Sequence, residues 1–402
     1  MTDNAGWVQR AQHPFFPNIR PAEIVLVRGE GCRVYDADDK PYLDLTSGIA
    51  VSALGHGHPA LVAALREQAG RILHTSNLYF NTPSIELAEK LVASSFADMV
   101  YFCNSGAEAN ESAIKLARRY HHDQGDKTRN RIVSFEKSFH GRTYGALTAT
   151  AQPKYHEGFG PMPGAFDYVG PFDLEGLAAT VTKDTAAVII EPLQGEGGVN
   201  VPPAGFLARV REICDRNGAL LIFDEVQAGV GRTGHVFAYE HDGVVPDIMS
   251  LAKGIGGGLP LGAMVARGDV GKSLAYGTHA TTYGGNPMAC AAGNVVMDTI
   301  VADGFLAGVR EVGAHLASGL EAIAGRTGVV HQVRGRGLIW GAELKPGLSF
   351  GAKDVVLACR ARGVLVHVAG PDVVRFVPPL VLTREDVDEG LAVVEEALTS
   401  LS

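Results

Sequence analysis

LLIFDEVQ, residues 220–227, is an apolar run that ends in two adjacent acids, Asp224 and Glu225. An unbroken aliphatic and aromatic stretch of this length reads as a strand buried on both faces. Successive strand residues point to opposite faces, so one of the two acids must turn inward. A lone buried carboxylate is costly unless a cation or hydrogen-bond donors meet it. The choice is therefore between a cationic partner in a site and a cap on the turn that follows the strand.

On either side of this run, between about residues 95 and 270, short β-branched or aliphatic runs alternate with amphipathic segments, the pattern of βα units on a largely parallel sheet. The predicted strands are Met99–Cys103, Arg131–Phe135, Ala187–Ile190, Ala219–Phe223 and Asp247–Leu251. Glu108–Tyr120 and Gly205–Asn217 carry apolar residues at helical spacing, and Gly218 stands where a glycine ends the second helix. Sheets of this kind gather ligands at the carboxyl ends of their strands. The sequence thus predicts an α/β fold with a large domain over residues 51–290 and a smaller α+β domain over 291–402. In the smaller one, RGRGLIWGAEL (Arg334–Leu344) reads as a strand pair, and Thr383-x-x-Asp386 as a capping box opening a final helix. Residues 1–50, with the strand-like EIVLVRGEG and RVYDADDKPYLDL, are expected to pack with that domain.

Lys253 lies in SLAKGIGGGLPLGA (250–263), at the end of another apolar strand and before glycines that let backbones approach closely. A lysine partly desolvated there has its pKa lowered and can attack an aldehyde, whereas a lysine taken alone more often snorkels to the surface. Together with an inward acid, it points to pyridoxal 5'-phosphate (PLP), whose protonated ring nitrogen needs a carboxylate beneath it. FCNSGAEAN (102–110) adds a strand, Ser105-Gly106-Ala107 and a helix start, whose exposed amides form a phosphate cradle. In SFHGRTYGALTAT (138–150), Phe139 and His140 are candidates to stack on a flat ring, and Arg142 offers a planar fork for a carboxylate.

Composition narrows the partners. The chain has 402 residues, 46% hydrophobic and 20% charged, with a net charge of −9, so no basic excess points to nucleic acid. Fifty glycines, about 12% against a usual ~7%, show no period and cluster beside the apolar runs, as turns at strand ends require. The N-terminal MTDNAGWVQRAQHPFF lacks a positive flank followed by an apolar stretch, and no apolar run reaches spanning length. Five cysteines scattered singly argue against a disulfide framework and for a reducing, cytoplasmic setting in which each is a small buried residue. Gly229-x-Gly231-x-x-Gly234 follows the acidic turn and not a strand, so it is a poor dinucleotide fingerprint. Gly271-Lys272-Ser273 has Ala266 where a phosphate loop needs glycine, and His56-x-His58 and His121-His122 lack a third metal ligand, so no metal site is expected.

The motifs SGIAVSALGHGHP, NSGAEANESAIKLAR, FHGRTYGALT, EPLQGEGGV, FDEVQAGVGRTG, LAKGIGGGLPLGA, TTYGGNPMACAA and RFVPPL together resemble the class III (ω-amino) aminotransferases among the fold-type I PLP enzymes. The resemblance runs from about Glu23 to Leu398. It implies Lys253 as the lysine that carries the cofactor as a Schiff base and Asp224 as partner of the pyridine nitrogen. Val226 and Phe139 are implied on the two ring faces, with Gln227 donating to the phenolic oxygen. Ser105, Gly106 and Ala107 are implied at the phosphate, His140 and Glu191 beside the cofactor, and Thr282 as a phosphate ligand supplied to the neighbouring subunit of an obligate homodimer whose sites lie at the interface. On the substrate side the resemblance implies Arg375 for the α-carboxylate of glutamate or 2-oxoglutarate, Glu196 as the acid that pairs with it when an ω-amine binds, and Arg142 for the distal carboxylate. Thr281 and Ile49 complete that set.

Ornithine aminotransferases carry tyrosine where this chain has Ile49, which argues against free ornithine. The ending AGPDVVRFVPPL and the compact length are most similar to acetylornithine aminotransferases, including those acting on acetyl-lysine-type donors, with 4-aminobutyrate aminotransferases as the alternative. An aminomutase or racemase on the same scaffold would need no 2-oxoglutarate and so no Glu196–Arg375 pair. A catalytically silent binding dimer would be expected to have lost Lys253, Asp224 or Arg142.

Overall fold

The structure, a computed structural model, describes residues 2–12, 14–19 and 21–402. Met1, His13 and Arg20, which fall within the expected N-terminal segment, lie outside the described residues. A seven-stranded sheet runs in the order Met99–Cys103, Gly262–Ala266, Ile248–Leu251, Leu220–Asp224, Thr185–Ile190, Arg131–Phe135, Phe166–Val169. Gly262–Ala266 is antiparallel to both its neighbours, and the remaining pairs are parallel.

Two of these strands escaped the sequence reading. Gly262–Ala266 (GAMVA) is a short run that continues the glycine-rich stretch after Lys253, while Phe166–Val169 is an edge strand of mixed polarity. Of the predicted strands, Ala187–Ile190 starts earlier, at Thr185, and Ala219–Phe223 is shifted to Leu220–Asp224, because pairing with Thr185–Ile190 begins at Leu220. Asp247 lies just outside Ile248–Leu251, because pairing with both neighbouring strands begins at Ile248, and its side chain accepts from Arg211 and Leu221 N. The helix expected at Glu108 starts at Gly106, since the Ser105 hydroxyl caps it by accepting from Glu108 N. Gly218 closes helix Phe206–Asn217 in the left-handed conformation at φ 66°.

Both faces of the sheet are covered, which is why its central strands are apolar throughout. Val188, Leu221 and Phe223 pack with Phe206 and Val210 on one side. Their alternates Ala187, Ile189 and Ile222 pack with Ala113, Ile114, Leu116 and Ala117 of helix Gly106–Asp123 on the other. Each such side chain contributes about 1.5–3 kcal/mol by leaving water.

A second sheet pairs Pro41–Asp44 in parallel with Val364–Leu365, so the N-terminal strands join C-terminal chain. A third contains the hairpin Val330–Arg336 and Ile339–Leu344, then Val373–Phe376, which carries Arg375. The capping box forms as expected: Thr383 Oγ1 accepts from Asp386 N at 3.1 Å at the start of helix Arg384–Leu401. All five cysteines are buried and free, and burial pushes the Cys214 and Cys290 thiols up to about 12. Among the described residues no single helix is long and apolar enough to cross a membrane.

Candidate active site

The carboxyl ends of the strands surround a cavity of about 460 Å³. Five of the segments that line it follow these strands, joined by Val51 and Gly258–Leu261. Ser105–Ala107 follow strand Met99–Cys103, Phe139–Arg142 follow Arg131–Phe135, and Glu191 and Glu196 follow Thr185–Ile190. Asp224 with Val226 and Gln227 ends or follows Leu220–Asp224, and Lys253 follows Ile248–Leu251. A cavity of this size, with a few converging polar groups, suits a small organic cofactor with its substrate.

Both acids of the opening motif are buried, and they part ways. Asp224 faces the cavity, where its Oδ2 accepts from His140 Nδ1 and Asn110 Nδ2, each at 2.7 Å, and its Oδ1 from Val226 N at 3.0 Å. A carboxylate only accepts, so the His140 proton sits on Nδ1. Glu225 points away and accepts from Ala238 N and Tyr239 N at 2.6 and 2.7 Å, so the turn cap is real but belongs to the neighbour. Burial raises the Glu225 carboxyl to about 8.

Lys253 has φ 49°, in the left-handed region where a side chain is strained, and such strain collects at functional sites. Its ammonium pKa is lowered, first by burial and then by Arg375, against the opposing pull of Glu196, Asp224 and Glu191. The Nζ stands 3.9 Å from Glu196 Oε1. Glu191 accepts from Phe139 N at 2.9 Å and Gly195 N at 3.3 Å, tying the aromatic wall to the loop that carries Glu196. Burial, helped by the Asp224 charge, raises the Glu191 carboxyl well above its ordinary value.

Arg375 is fully buried, and its Nη1 donates to Glu196 Oε1 at 2.7 Å, Gln227 Oε1 at 3.1 Å and Gly195 O at 3.2 Å. Its Nε and Nη2 meet no acceptor among the described residues. Gln227 Nε2 donates to Glu196 Oε1 at 2.9 Å. Burial works against a charged Glu196, yet the Arg375 and Lys253 charges and the hydrogen bonds from Arg375 and Gln227 hold its carboxyl at about 2. The QGEGG loop is glycine-rich for steric reasons: a Cβ on Gly195 would lie 1.8 Å from Gln227 Oε1, and one on Gly197 2.2 Å from Lys137 O.

Arg142 is exposed, lines the cavity and makes no side-chain hydrogen bond among the described residues. Ile49, Thr281, Thr282 and Arg375 do not line the cavity themselves. Arg375 reaches it through Glu196 and Gln227, Ile49 stands two residues from the lining Val51, and Thr281 Oγ1 accepts from the lining Asn104 at 3.2 Å. Thr282 is exposed. Asn110 is the site residue that the sequence reading missed; its signal was a polar side chain on the apolar face of an amphipathic helix. His56 Nε2 is held by Asp44 at 2.8 Å, and His121 Nε2 by Ala186 O at 2.9 Å.

The donors fit PLP. Gly106 and Ala107 open an 18-residue helix, so their amides have no acceptor within it and face the cavity, as a phosphate requires. A Cβ on Gly106 would lie 2.6 Å from Val226 Cγ1, so glycine is what allows the loop to close onto the Val226 side chain. Asp224 Oδ1, with a single donor, has room for a pyridinium N–H.

The aminotransferase class-III family matches residues 16–398. The acetylornithine aminotransferase of Xylella fastidiosa is 51% identical over 388 residues, covering 96% of this chain and 94% of that protein. Among solved structures, N-acetylornithine aminotransferase from Stenotrophomonas maltophilia matches with a TM-score of 0.84 at 43% identity, over 94% of this chain and 96% of that one. An amine transaminase from an uncultivated Pseudomonas species, in PLP-bound form, matches with a TM-score of 0.90 at 30% identity, over 97% and 98%.

Proposed function

This chain belongs to the class-III aminotransferase family, and from that premise we propose that it transfers the terminal amino group of N-acetylornithine, or an acetyl-lysine-type donor, to 2-oxoglutarate, giving glutamate and a semialdehyde. The observation that carries the reading is Arg375, buried and masked by Glu196 beside Lys253. An ω-amine brings no carboxylate to the reacting carbon, so an unmasked guanidinium there would be uncompensated and would draw in the wrong end of the donor. 2-Oxoglutarate has a carboxylate next to its reacting carbonyl and needs that guanidinium. A masking acid that can move away serves both substrates in turn.

In this reading PLP supplies an aldehyde for amine exchange and a cationic ring that spreads the electron pair left when the donor carbon loses its proton. Lys253 Nζ would hold it, with Asp224 keeping the ring nitrogen protonated, Val226 and Phe139 covering the ring faces, and Ser105, Gly106 and Ala107 at the phosphate. His140 and Asn110 orient Asp224, and Glu191 orients Phe139. Lys253 Nζ, as a desolvated amine of lowered pKa, would take the proton from the carbon bearing the donor amine and deliver it to the carbon on the other side of that nitrogen, the former aldehyde carbon of the cofactor. Arg142 binds the distal carboxylate of either substrate through its free donors.

In this reading the platform for the chemistry spans residues 51–290, with 1–50 packing against the smaller domain of 291–402. We read the working unit as a homodimer. Leu78, Tyr79 and Phe80 are 75%, 72% and 93% exposed, as is Tyr283 at 61%. Clusters of exposed apolar side chains mark association surfaces, and Tyr283 directly follows Thr281 and Thr282, which supports reading Thr282 as the phosphate ligand offered across that interface.

The test is a steady-state comparison of N-acetylornithine, ornithine, acetyl-lysine and 4-aminobutyrate as donors to 2-oxoglutarate. N-acetylornithine or acetyl-lysine is expected to show the highest kcat/KM. A preference for 4-aminobutyrate or ornithine, or turnover without 2-oxoglutarate, overturns the assignment.

A further inference from the structure

We propose that Tyr155 is the positioning residue that holds Arg142 ready for a substrate carboxylate. The guanidinium carbon of Arg142 lies 3.9 Å from the centre of the Tyr155 ring and 5.6 Å from that of Phe139. The two rings meet edge to face at 6.1 Å and 84°. An arginine carries roughly 2 kcal/mol of rotamer entropy, and a flat guanidinium stacked on a ring loses that freedom while leaving its in-plane N–H donors open. Held by faces alone, Arg142 keeps the whole fork for a carboxylate. A hydrogen-bonded arginine would have to break a bond first.

Tyr155 is itself anchored to the segment that carries Arg142. It closes the short helix Pro153–Tyr155, and the residues on either side reach back. Gln152 Nε2 donates to Ser138 O at 2.9 Å, and His156 Nε2 lies 2.8 Å from Leu147 O and 2.7 Å from Thr150 O. Arg142 lies between Ser138 and Leu147, so the ring is fixed relative to both flanks of the arginine it supports. Lys154 Nζ stands 4.7 Å from the centre of the same ring. Two cations share one aromatic surface, which raises the local positive potential and favours an anionic group. The Tyr155 hydroxyl makes no hydrogen bond among the described residues, so the ring is the active part.

This inference rests on the proposed role of Arg142 and is tested separately from the choice of donor. The holoenzyme is compared with Tyr155→Phe, which keeps the ring, and with Tyr155→Leu and Tyr155→Gln, which remove it. The donors are N-acetylornithine and N-acetylputrescine, the same molecule without its carboxylate. Both ringless variants should raise KM for N-acetylornithine about three- to tenfold, within the range of a cation–π contact, with kcat within about twofold and kcat/KM for N-acetylputrescine unchanged. Tyr155→Phe should match the parent. The dissociation constant of glutarate, read from the visible band of the cofactor, should weaken by the same factor. That measurement decides the matter even if N-acetylornithine proves not to be a donor. Equal losses on both donors, a ringless variant with parental glutarate affinity, or a Phe variant as impaired as Leu would overturn the assignment.

Discussion

Glu196 Oε1 stands 2.7 Å from Arg375 Nη1, and the same oxygen is 3.9 Å from Lys253 Nζ. One carboxylate thus neutralises the buried guanidinium and faces the reactive amine.

Removing that carboxylate in Glu196→Ala leaves Arg375 without its masking acid, held only by Gln227 Oε1 and Gly195 O. Breaking a buried pair from one side costs about 3–5 kcal/mol, and a carboxylate ligand recovers much of it. KM for 2-oxoglutarate should therefore fall, while kcat/KM for the ω-amine donor drops by about 10- to 100-fold. Half-reactions followed separately by the cofactor absorbance check this. A variant that slows both halves equally would mean that Glu196 does not switch.

Lys253→Ala should reduce turnover by at least about 10³-fold, since the proton transfer loses its base. The cofactor-free variant should melt no lower than the parent, because burial disfavours the Lys253 charge and its loss removes that penalty. Calorimetry of the apo forms gives the answer; a clear fall in Tm would mean that Lys253 also supports the fold.

Asn110 Nδ2 donates to both His140 O and Asp224 Oδ2 at 2.7 Å. Asn110→Ala leaves a buried carbonyl unsatisfied and loosens Asp224, at a cost of about 1–3 kcal/mol. The expected result is a PLP affinity weaker by about 5- to 50-fold, measured by equilibrium dialysis, with Asn110→Asp worse still because it sets a second acid against Asp224. Parental affinity in the alanine variant would remove Asn110 from the site.

How far the site is legible in the sequence follows from where each residue's chemistry shows. Lys253, Asp224 and Ser105–Ala107 stand out because each breaks an apolar run at a strand end, the place where an α/β sheet binds ligands. Asn110 does not, because helical spacing marks it as a polar residue on the wrong face but does not name a partner 114 residues away. Tyr155 is a single aromatic residue in a loop, and only the folded chain shows it lying under Arg142. The strand Gly262–Ala266 is hidden because it continues a glycine-rich turn, with glycine or alanine at three of its five positions, although every one is buried.

Stability at mildly acid pH should depend on His241, which meets the His235 ring edge to face at 4.1 Å and whose Nε2 lies 3.0 Å from Thr233 O. Burial, then the His235 and Arg336 charges, lower its pKa from 6.5 to about 4, with Asp242 opposing. Between those values the unfolded chain binds a proton that the folded chain refuses. The contribution is therefore complete above pH 6.5 and is lost as pH falls toward 4. Tm measured across that window should drop less steeply in His241→Phe than in the parent, and parallel curves would assign the loss to other groups.

Ile49 lies in a run of four left-handed residues, with φ of 43° at Ser47, 63° at Gly48, 67° at Ile49 and 63° at Ala50. Left-handed backbone costs a side-chain-bearing residue roughly 1–2 kcal/mol, and a β-branched one is the least suited to it. The turn persists because it is held from both sides. Asp44 Oδ1 accepts from Thr46 N and Ser47 N at 2.9 Å each, and Ser47 Oγ donates to Val377 O at 2.6 Å, two residues past Arg375. Ile49 is 37% exposed, so little burial is lost on truncation. Glycine should therefore be more stable than alanine here by about 1 kcal/mol, the reverse of their order in an ordinary helix. If the strain serves to present the Ile49 side chain beside the cavity, Ile49→Gly should keep or raise Tm while narrowing the kcat/KM gap between N-acetylornithine and ornithine. A glycine variant less stable than the alanine variant would show that the turn is not strained, and unchanged donor preference would show that the strain has no part in choosing the substrate.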